Sequence, residues 1–156
     1  MKRIISVLLA AVMMLTLAVS AFAASNSFLQ TTTGKVGQTY EVSSLKVEVT
    51  KDEDGSREAV VVTSTKAKDS KQITIPATVT IQGDKFNIVG IKENAFKDYT
   101  KQTKLVIKTK KLASVGKKAV RNTKKITVYV PSGKKAAYSK LFKDAGITKV
   151  QYKINK

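Results

Sequence analysis

The sequence predicts a mainly β chain with a C-terminal helix, in which N-terminal β-hairpins cap a short solenoid of stacked repeats. Three observations carry this. Branched apolar residues alternate with polar ones in short runs between Tyr40 and Ile88. A six-residue pattern, Ile91-Lys92-Glu93-Asn94-Ala95-Phe96, returns 24 residues later as Val115-Gly116-Lys117-Lys118-Ala119-Val120. Apolar residues at helical spacing are concentrated near the C-terminus, over Lys134–Ala145. A period in the twenties is the length of one solenoid coil. Such a coil buries its apolar edge only against stacked neighbours, so the expected product is a surface and not a catalytic pocket.

The elements follow in order. Residues 1–23 read as a signal peptide: Lys2 and Arg3 form the charged n-region, an apolar core follows, and Ala21-Phe22-Ala23 supplies the small residues that signal peptidase reads. An uncleaved membrane anchor is the alternative, because residues 4–24 are almost long enough to span a bilayer. Residues 24–38 are a polar lead-in, and residues 39–156 form one domain: a β region (39–90), the repeats (91–130) and a C-terminal cap (131–156). Within the β region, Tyr40, Val42, Leu45, Val47 and Val49, the last three alternating with Lys46, Glu48 and Thr50, mark a half-buried strand. Turn chemistry over residues 51–56, with Gly55 free to take positive φ, joins it to a second strand at Ala59–Val62. Ile73-Thr74-Ile75 is a third strand, and Pro76 stops its ladder. The runs Val79–Ile81 and Phe86–Ile88 flank a Gly83-Asp84 hairpin turn. Leu105–Ile107 and Ile126–Val130 are short strands of the repeats. The helix has Ser132 as its expected N-cap and Gly146 as its C′ stop, with Ala137, Tyr138, Leu141, Phe142 and Ala145 on one face. Ile147–Ile154 supplies a last strand.

Several pieces, in this order, resemble the leucine-rich repeats of the BspA-like family of secreted and surface bacterial proteins. They are residues 73–79, residues 86–97 through Ile91-Lys92-Glu93-Asn94-Ala95-Phe96, residues 112–119, and the closing Val130-Pro131 to Phe142. The resemblance implies a structural repeat core in which Ile91 and Val115 point inward. It also implies that Ala95 and Ala119 stay small where coils approach, with Phe96 and Val120 filling the gap between layers. Val120 stands where the family has Phe, which leaves the second coil less filled. Leu105 lies nine residues past Phe96 and Ile126 six past Val120, so the first coil is expected to carry about three extra residues. The function implied is adhesion or macromolecular recognition, secreted or at the cell surface, with a host or envelope protein or glycan as partner. No catalytic residues come with the resemblance.

Composition narrows the chemistry. The chain has no His and no Cys, which removes the commonest general base, thiol nucleophiles, soft metal ligands and disulfide staples. The one acidic cluster, Asp52-Glu53-Asp54, lacks the spacing of a calcium loop and reads as an acidic β-turn. No enzyme activity, metal or cofactor is expected. Charge is asymmetric: residues 25–100 hold ten Lys/Arg against ten Asp/Glu, whereas residues 101–156 hold seventeen against Asp144 alone, a net +16. Lys108, Lys110, Lys111, Lys117, Lys118, Arg121, Lys124 and Lys125 crowd into short coils and form a candidate polyanion patch for teichoic acid, anionic glycans or nucleic acid. The competing reading is a lysine coat that keeps an exported protein soluble. Arg57 and Arg121 are the only arginines after residue 3, which speaks against sequence-specific nucleic-acid readout.

Overall fold

The computed structural model describes residues 34–121 and 124–155. The signal segment and most of the lead-in lie outside the described residues. The chain forms β1 (Thr39–Val42), β2 (Leu45–Glu53), β3 (Ser56–Ser64), β4 (Gln72–Ile75), β5 (Thr78–Ile81), β6 (Asp84–Ile91), β7 (Lys104–Ile107), β8 (Ser114–Val115), β9 (Ile126–Val130), α1 (Lys135–Asp144) and β10 (Val150–Ile154). It is mainly β with one short C-terminal helix among the described residues.

Two sheets face each other across one core. The first runs β1-β2-β3-β6-β5, and β8 joins the end of β6 on the edge that β5 also uses. Its N-terminal strands are hairpins whose alternation is as expected: Leu45, Val47 and Val49 are buried and face Ala59 and Val61 of the neighbouring strand. The turns are tighter than the sequence suggested. Glu53 pairs with Ser56, so only Asp54 and Gly55 lie outside the ladder, and Gly55 has a φ of 79°. In the β5–β6 hairpin, Ile81 pairs with Asp84, which makes Gln82-Gly83 the turn in place of Gly83-Asp84. Both turn residues have positive φ (51° and 96°), the conformation that matches the twist of the flanking strands. Tyr40 and Val42 belong to a separate strand, β1, and not to the one that holds Leu45, Val47 and Val49; β1 folds back on β2 through Ser43-Ser44.

The second sheet is wholly parallel, in the order β10-β9-β7-β4. Ile73 pairs with Leu105, Leu105 with Val128 and Val128 with Tyr152, which sets successive strands 32, 23 and 24 residues apart. Parallel neighbours need long crossovers; here the first two pass along the other sheet, through β5–β6 and β8, and the third carries α1. Ile91 pairs with Val115 and Phe96 bridges to Val120, both in parallel at the 24-residue spacing of the sequence repeat. The stack extends beyond that repeat, since Val61 of β3 pairs with Ile91 and β4 lies beside β7. One expectation needs correction. Leu105 aligns with Val128 and not with Ile126, so the segment after Phe96 is longer than the one after Val120 by one residue (nine against eight) and not by three. The larger insertion is the β5–β6 hairpin, which makes the first crossover 32 residues long.

Backbone contacts between layers are close. Gly116 N–H donates to Ile91 C=O at 2.8 Å, and Phe96 N–H donates to Ala119 C=O at 2.7 Å. A Cβ at Gly116 would stand 2.2 Å from the Glu93 backbone nitrogen. Ala95 and Ala119 are buried, as are Phe96 and Val120 (0% and 1% exposed), and Ile91 is buried while Val115 is half-buried against the core. The helix ends as the sequence indicates: Gly146 has φ 76°, Gly146 N–H reaches Lys143 C=O, and Ile147 N–H reaches Phe142 C=O. Its start differs. Lys134 is the N-cap and makes no side-chain cap bond, because a turn closed from Lys134 N–H to Pro131 C=O leaves Ser132 two residues too early. Tyr138, Phe142 and Ala145 are buried and Leu141 partly so, but Ala137 is exposed.

Candidate interaction surface

The parallel sheet has an inner and an outer face. Ile73, Ile75, Leu105, Ile107, Ile126, Val128 and Val130 point into the core. The alternate residues form two rows in register across the four strands. One row is Gln72, Lys104, Thr127 and Gln151, and the other is Thr74, Val106, Tyr129 and Lys153. Gln72, Lys104, Gln151 and Lys153 are exposed, while Thr74, Val106, Thr127 and Tyr129 are half-buried. Strand neighbours lie about 4.8 Å apart, so these side chains form a compact strip with Val106 and Tyr129 at its centre. Residue patterning had not singled out this strip. The signal was present in the polar half of each alternation, but it has no meaning until the register of the strands is known.

The eight basic residues expected to form one patch lie at three places along the second coil. Lys108, Lys110 and Lys111 are exposed on the connection from β7 to β8. Lys117 and Lys118 are exposed beyond β8, in the turn stacked on Glu93 and Asn94 of the preceding coil, where Asn94 N–H donates to Lys117 C=O at 3.1 Å. Asn94 and Lys118 share a left-handed backbone (φ 56° and 53°). Arg121, Lys124 and Lys125 are exposed on the return toward β9. Thus Lys117 sits over an acidic neighbour, whereas the first trio does not.

That first trio has company the sequence did not reveal. Lys108 and Lys110 border a shallow open depression with Val106, Pro131, Ser132 and Asn155. Asn155 is fixed there by donating Nδ2–H to Ile107 C=O at 2.7 Å. Lys134 and Lys135 follow directly at the helix start. A second depression, lined by residues such as Val42, Ser44, Thr74, Pro76 and Thr80, contains no charged residue.

Three buried polar side chains lie beneath the coils. The Tyr138 hydroxyl accepts from Leu112 N–H at 3.2 Å and donates to Thr109 C=O at 2.8 Å, docking the helix onto the second coil. Burial pushes its pKa above the ordinary tyrosine value. The Tyr99 hydroxyl lies within reach of the carbonyls of Ser64 and Lys66, and its ring meets Phe96 edge-on at 5.9 Å. Gln102, 5% exposed, has neither side-chain nitrogen nor oxygen hydrogen-bonded.

The acidic turn is spoken for internally. Arg57 donates to Asp52 at 2.9 Å and to Asp54 at 3.0 Å, and pairs with Asp84 at 3.1 Å. The bond to Asp52, with the added charges of Asp84 and Asp54, holds the guanidinium pKa above its ordinary value. Among the described residues no group of three or more His, Cys, Asp or Glu side chains is arranged to hold a metal ion. Among the same residues no helix is long and apolar enough to cross a membrane.

No protein-family model matches the chain, and no curated protein matches it. Among solved structures, the chain is similar to a leucine rich cell surface protein from Faecalibacterium prausnitzii A2-165. The likeness has 22% identity and a TM-score of 0.47, and it covers 62% of this chain and 24% of that one. The chain therefore spans about a quarter of the length of that protein.

Proposed function

We propose that the chain is a non-catalytic interaction module of the leucine-rich-repeat type, exported and acting in the medium or at a bacterial surface, where it binds a host or envelope macromolecule. The observation that supports this reading most is the outer strip of the parallel sheet. Rows of side chains in register on four strands give a rigid, fixed-spacing surface with an apolar centre at Val106 and Tyr129 and a polar margin. The lack of His and Cys fits recognition better than catalysis. The BspA-like resemblance of the repeats and the signal-like residues 1–23 point to the same setting.

The test is a screen of purified envelope and host glycoproteins and glycans against the immobilised chain at low and high salt. Near 0.5 M salt the Debye length is only about 4–5 Å, so binding that survives there rests on shape and not on diffuse charge. A salt-resistant ligand whose binding falls on Tyr129→Ala and Thr74→Glu is the expected result. Binding that vanishes at high salt for every ligand, or that ignores both substitutions, would refute the sheet face as the recognition surface.

A further inference from the structure

We propose that Lys108 and Lys110, which line the depression at the ends of β7 and β9, together with Lys111, Lys134 and Lys135, which follow its lining residues within three positions along the chain, form a binding rim for a linear anionic polysaccharide carrying sulfate or carboxylate groups. This deepens the reading of an interaction module and rests on it only in placing the ligand beside the sheet face.

The rim is one-signed. No Asp or Glu occurs in residues 104–113, 126–143 or 150–155. The nearest acid along the helix, Asp144, sits at its last residue, and Asp84 of the neighbouring hairpin is held by Arg57. Lys51, Arg57, Lys68 and Lys92 are paired with acids, and none of the five rim lysines is among the ion-paired cations of the described residues. Lys108, Lys110, Lys111 and Lys135 are exposed, and Lys134 is partly so. A concave surface lined by charge of one sign focuses field and concentrates counter-ions of the opposite sign. Such a concentration of cations without internal partners is unlike the part of the chain built by the first six strands, where the Arg57 and Lys92 pairs bind acids within the fold.

The floor selects among polyanions. Val106 and Pro131 line the depression, and Tyr129 is beside Val106 in the adjoining strand. This apolar strip offers a flat seat for the carbon face of a sugar ring, while Ser132 and Asn155 offer hydrogen-bonding groups at its margin. The rim itself contains no arginine, so it reads no oxyanion bidentately and acts as a row of point charges, leaving the apolar floor to choose among polyanions. Tyr129 is the single aromatic of the outer rows, whereas single-stranded nucleic acid is held by several stacking platforms.

The experiment is a titration of the full chain with a size-defined heparin octasaccharide at about 0.15 M salt, where the Debye length is about 8 Å. One variant carries Lys→Gln at 108, 110, 111, 134 and 135. A control of equal charge loss carries Lys→Gln at 117, 118, 124, 125 and 140. Circular dichroism checks that both fold. The rim variant should bind about 30-fold more weakly and the control about threefold. Equal loss in both variants, or no loss in either, would overturn the rim. Polyphosphate or single-stranded oligonucleotide of matched charge, bound as tightly and with the same rim dependence, would overturn the polysaccharide. Failure of the rim leaves the salt-resistant binding test of the sheet face untouched, so the two readings fail separately.

Discussion

Tyr138→Phe removes one oxygen atom and should cost this protein a large part of its stability. The side chain is 1% exposed, and its hydroxyl serves Leu112 N–H and Thr109 C=O, both belonging to residues that are themselves buried (6% and 1% exposed). Phenylalanine keeps the ring packing, so no large cavity forms, but a buried donor and a buried acceptor lose their partner together. Each unsatisfied group costs about 1–3 kcal/mol. The carbonyl, with a second lone pair, sits at the low end of that range, which gives a total of about 2–4 kcal/mol. Against a typical domain stability of about 5–15 kcal/mol and a urea m-value of about 1–3 kcal/mol/M, the midpoint should fall by about 1–2 M. Tyr152→Phe is the matched control. Its ring packs edge-on to Phe142 at 6.3 Å, but its hydroxyl has no hydrogen-bond partner among the described residues, so the midpoint should barely move. Hydrogen exchange at the Leu112 amide should rise in the first variant and not in the second. Equal midpoints for the two variants would refute the claim that the hydroxyl holds the helix on the coil.

Three further outcomes follow from the same packing. Phe96→Ala should destabilise by about 3–5 kcal/mol and Val120→Ala by roughly half as much, since both are buried but the ring fills more space; equal urea midpoints would count against the proposed filling of the layers. Gln102→Leu should raise the midpoint, worth about 1 kcal/mol or more, because it replaces an unpaired buried amide by an apolar group of similar size; a lower midpoint would mean that the amide has a partner in solution. Burial raises the Tyr152 pKa to about 12. Its proton is thus held more tightly in the folded state than in the unfolded chain, where tyrosine titrates near 10. The stability linked to it is complete below about pH 10 and is lost as pH rises toward 12. The fall measured between those values should be shallower in Tyr152→Phe, and an unchanged slope would contradict the shift.

Much of this fold was legible in the residues because the responsible forces are local or periodic. The 24-residue echo of Ile91 and Phe96 in Val115 and Val120 became literal strand and bridge pairs. Gly146 took the left-handed conformation that a helix stop requires. Features set by contacts far apart in sequence stayed hidden. Nothing near Tyr138 announces that its hydroxyl serves residues 26 and 29 positions earlier. Gly116 resembles any turn glycine until the Glu93 backbone is seen against it. Ile126 looks like the natural partner of Leu105 because both open an apolar run, yet the ladder picks Val128. For the candidate site, the excess of lysine was visible at once, but its division among three places on the coil depends on where β8 interrupts the chain. The outer strip was hidden for another reason: its members are unremarkable polar residues, one valine and one tyrosine, and only register makes them neighbours.

The hairpin carried by the first crossover has an evolutionary and an engineering meaning. It adds eight or nine residues relative to the later crossovers, yet the strands on either side of it keep pairing one for one, Gln72 to Lys104 through Ile75 to Ile107. Length at this corner is therefore uncoupled from the pitch of the stack. Its Gln82-Gly83 tip is exposed, with open space around Gly83. Exposed tips of this kind are where chains accept inserted segments. The same corner is where natural variants of the chain can lengthen, and where a foreign peptide or reporter can be grafted, while the three ladders of the parallel sheet keep their spacing.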